Sequence, residues 1–402
     1  MPRLPPHVFD DLMARFGNRF FAADLRRMRG CEVARPERSK LCYGEVPSLW
    51  MLDAMQELTR VIMADRQIRD YVSSREYLGI GQPRRVRLLP GYAMTVLQLG
   101  QRPWRVPTDD ELDKIAKRLP TPGRAKNNKR RLRATWSQVV GQYQFSAAAV
   151  AIDFLESMPV ATRRHLRHII LHENRLSVAN PECHARGLVP FCDENPALRI
   201  DRRVSLWRNC FLQGRHGDLV DHARQTWRLN APKPVNQLHA DQAARPVAQW
   251  ICEASLLPKQ ITLIFDCDGT PERTSQVFQE VIQRDAAWQT ALDRAFGFPD
   301  GSTSPDKFDT PAHIRCIPAY HCEGFPELLR AICDKDPSSR VRCDGFDPGR
   351  PWEEEDIQAI IEANRDRTPE EWGIAWERPR VGYKTAPPLP DFRTLLDEEV
   401  RR

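Results

Sequence analysis

The chain reads as a helix-rich α/β or α+β protein with a small parallel or mixed sheet within residues 146–350. Three observations carry that expectation. Beyond Ser146, apolar runs of strand length alternate with segments of helical period. Proline and glycine clusters separate these segments, and 33 prolines in 402 residues imply many short elements joined by stiff loops. A composition of 41% hydrophobic and 28% charged residues is ordinary for a globular chain and sufficient for a sizeable core. No fixed period recurs, so a solenoid is not expected.

Taken in order, Leu49, Leu52, Met55, Leu58, Ile62 and Met63 fall on one face of a helix over 49–65. Thr108-Asp109-Asp110-Glu111 forms a capping box, in which the Thr and Glu side chains satisfy free amides reciprocally. The helix it opens stops at Leu119-Pro120-Thr121-Pro122-Gly123. A basic run follows, with Arg124, Lys126, Lys129, Arg130, Arg131 and Arg133. It suits phosphate contact or nuclear import, and equally a solvated loop.

From Ser146 onward the pattern predicts a helix over 147–155, a strand over 166–171 and a helix over 197–211. A proline-rich link over 230–246 comes next. Ile261 to Phe265 is the clearest strand and Thr270 to Phe296 the clearest helix. A strand over 313–317 and a helix over 325–332 should follow. Two helices close the pattern, one opened by Pro351 with Glu353 to Asp356 in its first turn, the other by Thr368-Pro369-Glu370-Glu371. Three regions result: a basic, mainly helical N-terminal region (1–140), an α/β body (146–350) and a helical, proline-rich C-terminal tail (351–402).

No run reaches the roughly 20 apolar residues of a membrane span. The opening Met1-Pro2-Arg3-Leu4-Pro5-Pro6 lacks the basic-then-apolar layout of a secretory leader. Eleven cysteines at irregular spacing fit reduced thiols inside apolar runs, such as Cys210, Cys252 and Cys316. A cytoplasmic or nuclear location is therefore expected. The net charge of +6 is unevenly placed, since residues 1–140 hold 27 of the 60 Lys/Arg but only 15 of the 54 Asp/Glu. The basic part could face nucleic acid, an acidic partner or the acidic remainder of the chain.

One string carries the outline of a catalytic motif. Asp266-Cys267-Asp268-Gly269-Thr270 directly follows the apolar run Ile261-Thr262-Leu263-Ile264-Phe265. It resembles the opening motif of haloacid dehalogenase-like phosphatases, a likeness that implies Asp266 as nucleophile and Asp268 as acid/base. Such chemistry also needs a magnesium ion, a lysine and a second hydroxyl. That family places the hydroxyl at the end of the next core strand, yet His313-Ile314-Arg315-Cys316-Ile317-Pro318 ends without one. Lys307 and Lys335 are the available lysines, and Asp344-Gly345-Phe346-Asp347 could supply further carboxylates. A helix beginning at Thr270-Pro271-Glu272 would leave no room for the family's flap, so strand, turn and helix cap explain the same residues.

Other candidates are weaker. His165, His168 and His172 would share a helical face and could bind zinc, but the expected strand at Ile169-Ile170-Leu171 would scatter them. Cys316, His321, Cys322, Cys333 and Cys343 form the densest Cys/His group without matching a zinc-ligand spacing. No phosphate loop, nucleophile elbow or paired-histidine metalloprotease helix is present. No cofactor is implied.

The stretches Pro181 to Cys192, Asn195 to Ile200, Arg203 to Arg208 and Gln283 to Leu292 resemble intracellular proteins of filamentous ascomycete fungi, over about half the chain (146–378). That family has no assigned activity, so the resemblance implies no site residues. Leu166 to Leu171 is loosely similar to F-box proteins, although the Leu-Pro-x-Glu opening is missing apart from Leu4-Pro5-Pro6. The expectation is a non-enzymatic intracellular interaction or scaffold protein with protein partners and no membrane. The alternatives are a magnesium-dependent phosphohydrolase using Asp266 and Asp268, and an F-box-like adaptor or accessory protein of a fungal secondary-metabolite cluster. Nucleic-acid binding through residues 124–133 is a further, weaker option, because no reading fold accompanies the charge.

Overall fold

The computed structural model describes Ala64 and residues 103–111, 113, 145–174, 177, 180–211, 237–238, 240–296, 321–322, 324–377 and 383–384. The chain divides into two compact units, Met1–Thr135 and Trp136–Arg402. In the first, the capping box forms: Thr108 N donates to Glu111 Oε2 at 3.0 Å and Glu111 N to Thr108 Oγ1 at 3.4 Å. The helix expected over 49–65 lies outside the described residues except for Ala64, which is helical.

The second unit is built on four strands, β1 (His168–Glu173), β2 (Arg199–Ser205), β3 (Ile261–Asp266) and β4 (Val341–Asp344). They lie side by side in chain order, β1-β2-β3-β4, and every pairing is parallel. His168 stands opposite Arg199, Ile200 opposite Ile261 and Leu263 opposite Val341. The expected fold class is observed, a helix-rich chain around a small sheet that is wholly parallel.

Strand order explains the burial. Each strand is added on the same side of the last, and crossovers between parallel strands are right-handed. The described connecting helices are then delivered to one face. The inward residues Leu171, Glu173, Ile200, Arg202, Val204, Ile261, Leu263, Phe265 and Val341 are buried. On the other face His168, Ile170, His172, Arg342 and Asp344 are exposed, while Asp201, Arg203, Thr262, Ile264 and Asp266 are half-buried.

Around the buried face run α1 (Ala147–Ser157), the short α2 (Val160–Arg163) and α3 (Val189–Glu194), the last preceded by a 3-10 segment, Pro181–Leu188. A π-helical turn, Leu206–Cys210, follows β2, and α4 (Ala240–Ser255) comes next. After β3, α5 (Pro271–Val277) runs through a π segment (Phe278–Gln283) into α6 (Arg284–Ala295). Helices α7 (Phe325–Cys333), α8 (Glu354–Ala363) and α9 (Pro369–Glu377) complete the set. Gln237–Leu238 pairs antiparallel with Tyr383–Lys384. Trp352, Ile357, Trp372 and Trp376, on the stretch read as a C-terminal tail, belong to the same core as Val204, Phe265 and Leu329.

Three expectations are corrected. Residues 197–211 form a strand and a π turn rather than a helix. The alternation of β2 was masked because Arg202 points inward with Ile200 and Val204. Pro246 lies inside α4 rather than in a link. An internal proline costs about 3 kcal/mol, and here Ala243, Ala244, Val247, Ala248, Trp250, Ile251 and Ala254 bury a full helix face against that cost. A strand that the sequence pattern did not include, β4, leads into Asp344 and is only four residues long. The strand expected over 313–317 lies outside the described residues.

The inward arginine is fully accommodated. Arg202 and Glu173 form an ion pair at 2.7 Å, each 2% exposed. Arg202 also donates to the carbonyls of Glu182 (3.0 Å) and Pro181 (2.5 Å), and its guanidinium lies 4.3 Å from the Trp250 ring centroid. Glu173 in turn accepts from the first amides of α1, Ala147 N at 2.8 Å and Ala148 N at 3.2 Å. One carboxylate thus ties β1, β2 and the positive end of α1 together.

Candidate functional site

The Asp-x-Asp-Gly-Thr string sits at the carboxyl end of β3, between the ends of β2 and β4. Asp266 is the last residue of β3; its Oδ1 accepts from Asp268 N at 2.9 Å. The chain turns through two left-handed residues, Asp268 (φ 53°) and Gly269 (φ 72°). Nothing lies within 4 Å of a Cβ added at Gly269, so glycine answers the dihedral there and not a lack of space. Thr270 N closes the turn on Cys267 O at 3.0 Å, and α5 begins at Pro271. A helix therefore follows at once, as the sequence suggested. The hydroxyl of Thr270 does not cap it, however, but donates back to Cys267 O at 2.7 Å.

The flanking strands supply the hydroxyl that the sequence seemed to lack and bring Asp344, a carboxylate it had offered, beside Asp266. Ser205, at the end of β2, donates its hydroxyl to Asp268 Oδ2 at 2.6 Å, and Trp207 N donates to the same oxygen at 3.2 Å. Ser205 Oγ also accepts from Arg208 N at 3.1 Å, which starts the π turn. Asp344 ends β4 beside Asp266. The hydroxyl expected on the following strand comes instead from the preceding one. An alternating charged run closing on a serine was the available signal.

Arg203 governs the electrostatics of this edge. Its guanidinium donates to Asp266 Oδ2 at 3.2 Å and also to Asp344 Oδ2. The bond to Asp344 is the main reason the Arg203 pKa rises. Burial pushes the Asp268 carboxyl up from its ordinary range, opposed by the Ser205 and Trp207 hydrogen bonds. Among the described residues no group of three or more His, Cys, Asp or Glu could hold a metal ion. A magnesium ion does not fit, because an arginine stands between the two carboxylates that would share it.

Topology adds a second constraint. In open parallel sheets, ligands settle in the crevice where strand order reverses and helices part to opposite faces. The order β1-β2-β3-β4 has no reversal. A cleft of about 920 Å³ opens instead beside β4, lined by residues including Glu272, Ser275, Lys335, Arg342 and Asp347. Asp266 and Asp268 are not on its walls. The outer edge of β4 is partly closed by Ser339, whose Oγ accepts from Val341 N at 3.2 Å and donates to Val341 O at 3.1 Å.

The remaining candidates disperse. His168 and His172 lie on the outward face of β1, about 13 Å apart along an extended strand, and His165 precedes that strand. His168 Nε2 pairs with Asp201 Oδ2 at 2.9 Å. Of the Cys/His group, Cys322 is bonded to Cys252, which corrects the expectation of a reduced thiol there, His321 Nε2 meets Asp285 Oδ2 at 3.1 Å and Cys333 is buried. Cys316, Lys307 and the basic residues Arg124, Lys126, Lys129, Arg130, Arg131 and Arg133 lie outside the described residues. Among those described, no helix is long and apolar enough to cross a membrane. No protein-family model, curated protein or solved structure matches the chain.

Proposed function

We propose that the chain is a non-enzymatic interaction protein in which Asp266, Asp268 and Asp344 form a structural clasp. One observation carries this reading: the sheet runs in strict chain order. Among the described residues, that order supplies no ligand crevice at the acidic edge. It also sends the helices to one face and leaves the other open among the described residues. Parallel sheets are ordinarily covered on both faces. The open face sets Ile170, Thr262 and Ile264 among Asp201, Arg203 and Arg342, a mixture suited to a protein surface. The test is the double charge reversal Asp201→Lys with Arg342→Glu. It should abolish binding of a protein partner isolated with the wild-type chain while leaving the melting temperature unchanged. Undiminished binding would overturn the assignment of this face.

The phosphohydrolase alternative draws support from Ser205 and Asp344, which stand at the ends of the two strands flanking Asp266. For Asp266 to act as nucleophile it would have to shed Arg203. Turnover of an aryl phosphate in magnesium that vanishes in Asp266→Asn would displace the non-enzymatic reading. The F-box-like adaptor is a narrower form of the interaction reading, supported by the resemblance at residues 166–171. Its test is co-purification with a ubiquitin-ligase component.

A further inference from the structure

Cys252, in α4, is bonded to Cys322, three residues ahead of α7 and 70 positions away in sequence. Both are half-buried. Cys183, Cys192, Cys210, Cys267 and Cys333 are buried. Burial pushes the Cys183 and Cys333 thiols up to about 12 and Cys192 up to about 11, and it raises the Cys343 thiol as well. Exchange proceeds through the thiolate, so these groups react slowly.

Cys322 is held by contacts besides its disulfide. Gln289 of α6 grips the segment at both ends of its amide, donating to Cys322 O at 2.7 Å and accepting from His321 N at 3.1 Å. The His321 ring is 1% exposed and bonds Asp285. Phe325 N donates to Cys322 O at 3.2 Å, starting α7. The Cys322 sulfur also lies 3.6 Å from the carbonyl of Ala248, one turn before Cys252, which offers a thiol its acceptor. Both redox forms of the pair therefore have a place in the same fold, with the sulfurs held as neighbours.

From this arrangement we propose that Cys252 and Cys322 are a reversible thiol–disulfide exchange site whose reactant is a small-molecule disulfide of the glutathione class. One cysteine thiolate attacks the small disulfide, forming a mixed disulfide and expelling one thiolate. The second cysteine thiolate attacks the protein sulfur of that intermediate and expels the other. Two electrons pass from the cysteine pair to the small disulfide, and the two thiol protons leave with the released thiols. Reduction runs the same steps backwards. The exchange opens or closes a tether between α4 and the start of α7 while the amide grip of Gln289 persists.

The experiment equilibrates the full chain across ratios of reduced to oxidised glutathione, blocks free thiols and maps peptides by mass spectrometry. The expected result is a Cys252–Cys322 peptide pair that rises and falls with the ratio, at constant far-ultraviolet circular dichroism, while Cys183, Cys192 and Cys333 stay thiols. In Cys322→Ser, Cys252 should instead carry a single glutathione adduct. The proposal is overturned by a bond that survives excess reduced glutathione in the native protein. Two singly blocked cysteines under oxidised glutathione, or no adduct on Cys252 in the variant, overturn it equally.

Discussion

Replacing Arg202 with methionine should be among the most damaging single changes in the α/β unit, and the structure sets its size. The substitution keeps an unbranched apolar stem but removes the guanidinium from an ion pair whose partners are each 2% exposed. Glu173 keeps the Ala147 and Ala148 amides, which compensate part of its charge. The carbonyls of Pro181 and Glu182 lose a donor, and Trp250 loses a cation on its ring. Breaking one side of a buried pair costs about 3–5 kcal/mol. For a unit of this size that lowers the melting temperature by roughly 6–20 °C. Urea unfolding followed by tryptophan fluorescence measures the loss directly. The double variant Arg202→Met with Glu173→Gln should recover about 1–3 kcal/mol against the sum of the singles, since the stranded charge is gone. A single-variant loss below about 1 kcal/mol, or simple additivity, would refute the view that this pair pins β1, β2 and α1.

Four further outcomes are expected. Glu253, with its pKa raised to about 7 by burial against the pull of Arg186, binds its proton more tightly folded than unfolded. Its contribution to stability is therefore full below about pH 4.5 and falls by up to roughly 3 kcal/mol as pH rises to 7; Glu253→Gln should flatten that slope in urea titrations. Gly349→Ala should destabilise by about 1–3 kcal/mol, because its φ is 84° and the new Cβ would stand 2.6 Å from Gln279 Cγ. Asp266→Asn, at a partly exposed ion pair, should cost no more than about 1 kcal/mol in the same assay. Reducing the Cys252–Cys322 bond should lower stability by roughly 2–4 kcal/mol through the closed loop, and Cys252→Ser should be insensitive to reductant.

How far the fold could be read from the sequence depended on whether each element's partners were local. Strand β3 was visible because its neighbours in sequence are apolar, and α5 because proline stands at its first position. The capping boxes at Thr108 and Thr368 were visible for the same reason, four consecutive residues being the whole motif. Strand β2 was not, since Arg202 breaks its alternation and its ion-pair partner, Glu173, is 29 positions away. Strand β4 was too short to carry a period. The candidate site shows the same division. Asp266 and Asp268 were legible, while Ser205 and Arg203, each 63 positions upstream of the aspartate it bonds, were not.

Chain-ordered strands also have a kinetic consequence. Each strand's neighbour is the next one made, and the intervening segments lengthen from about 25 to 55 to 75 residues across β1–β2, β2–β3 and β3–β4. Loop-closure entropy grows along that series, so β1 and β2 pair at the least cost and emerge first during synthesis. A chain stopped after residue 211 would already contain β1, β2, α1 and the Glu173–Arg202 pair. The sheet is then assembled by successive addition to one growing edge, and β4, nearest the C-terminus, is the last strand to join it.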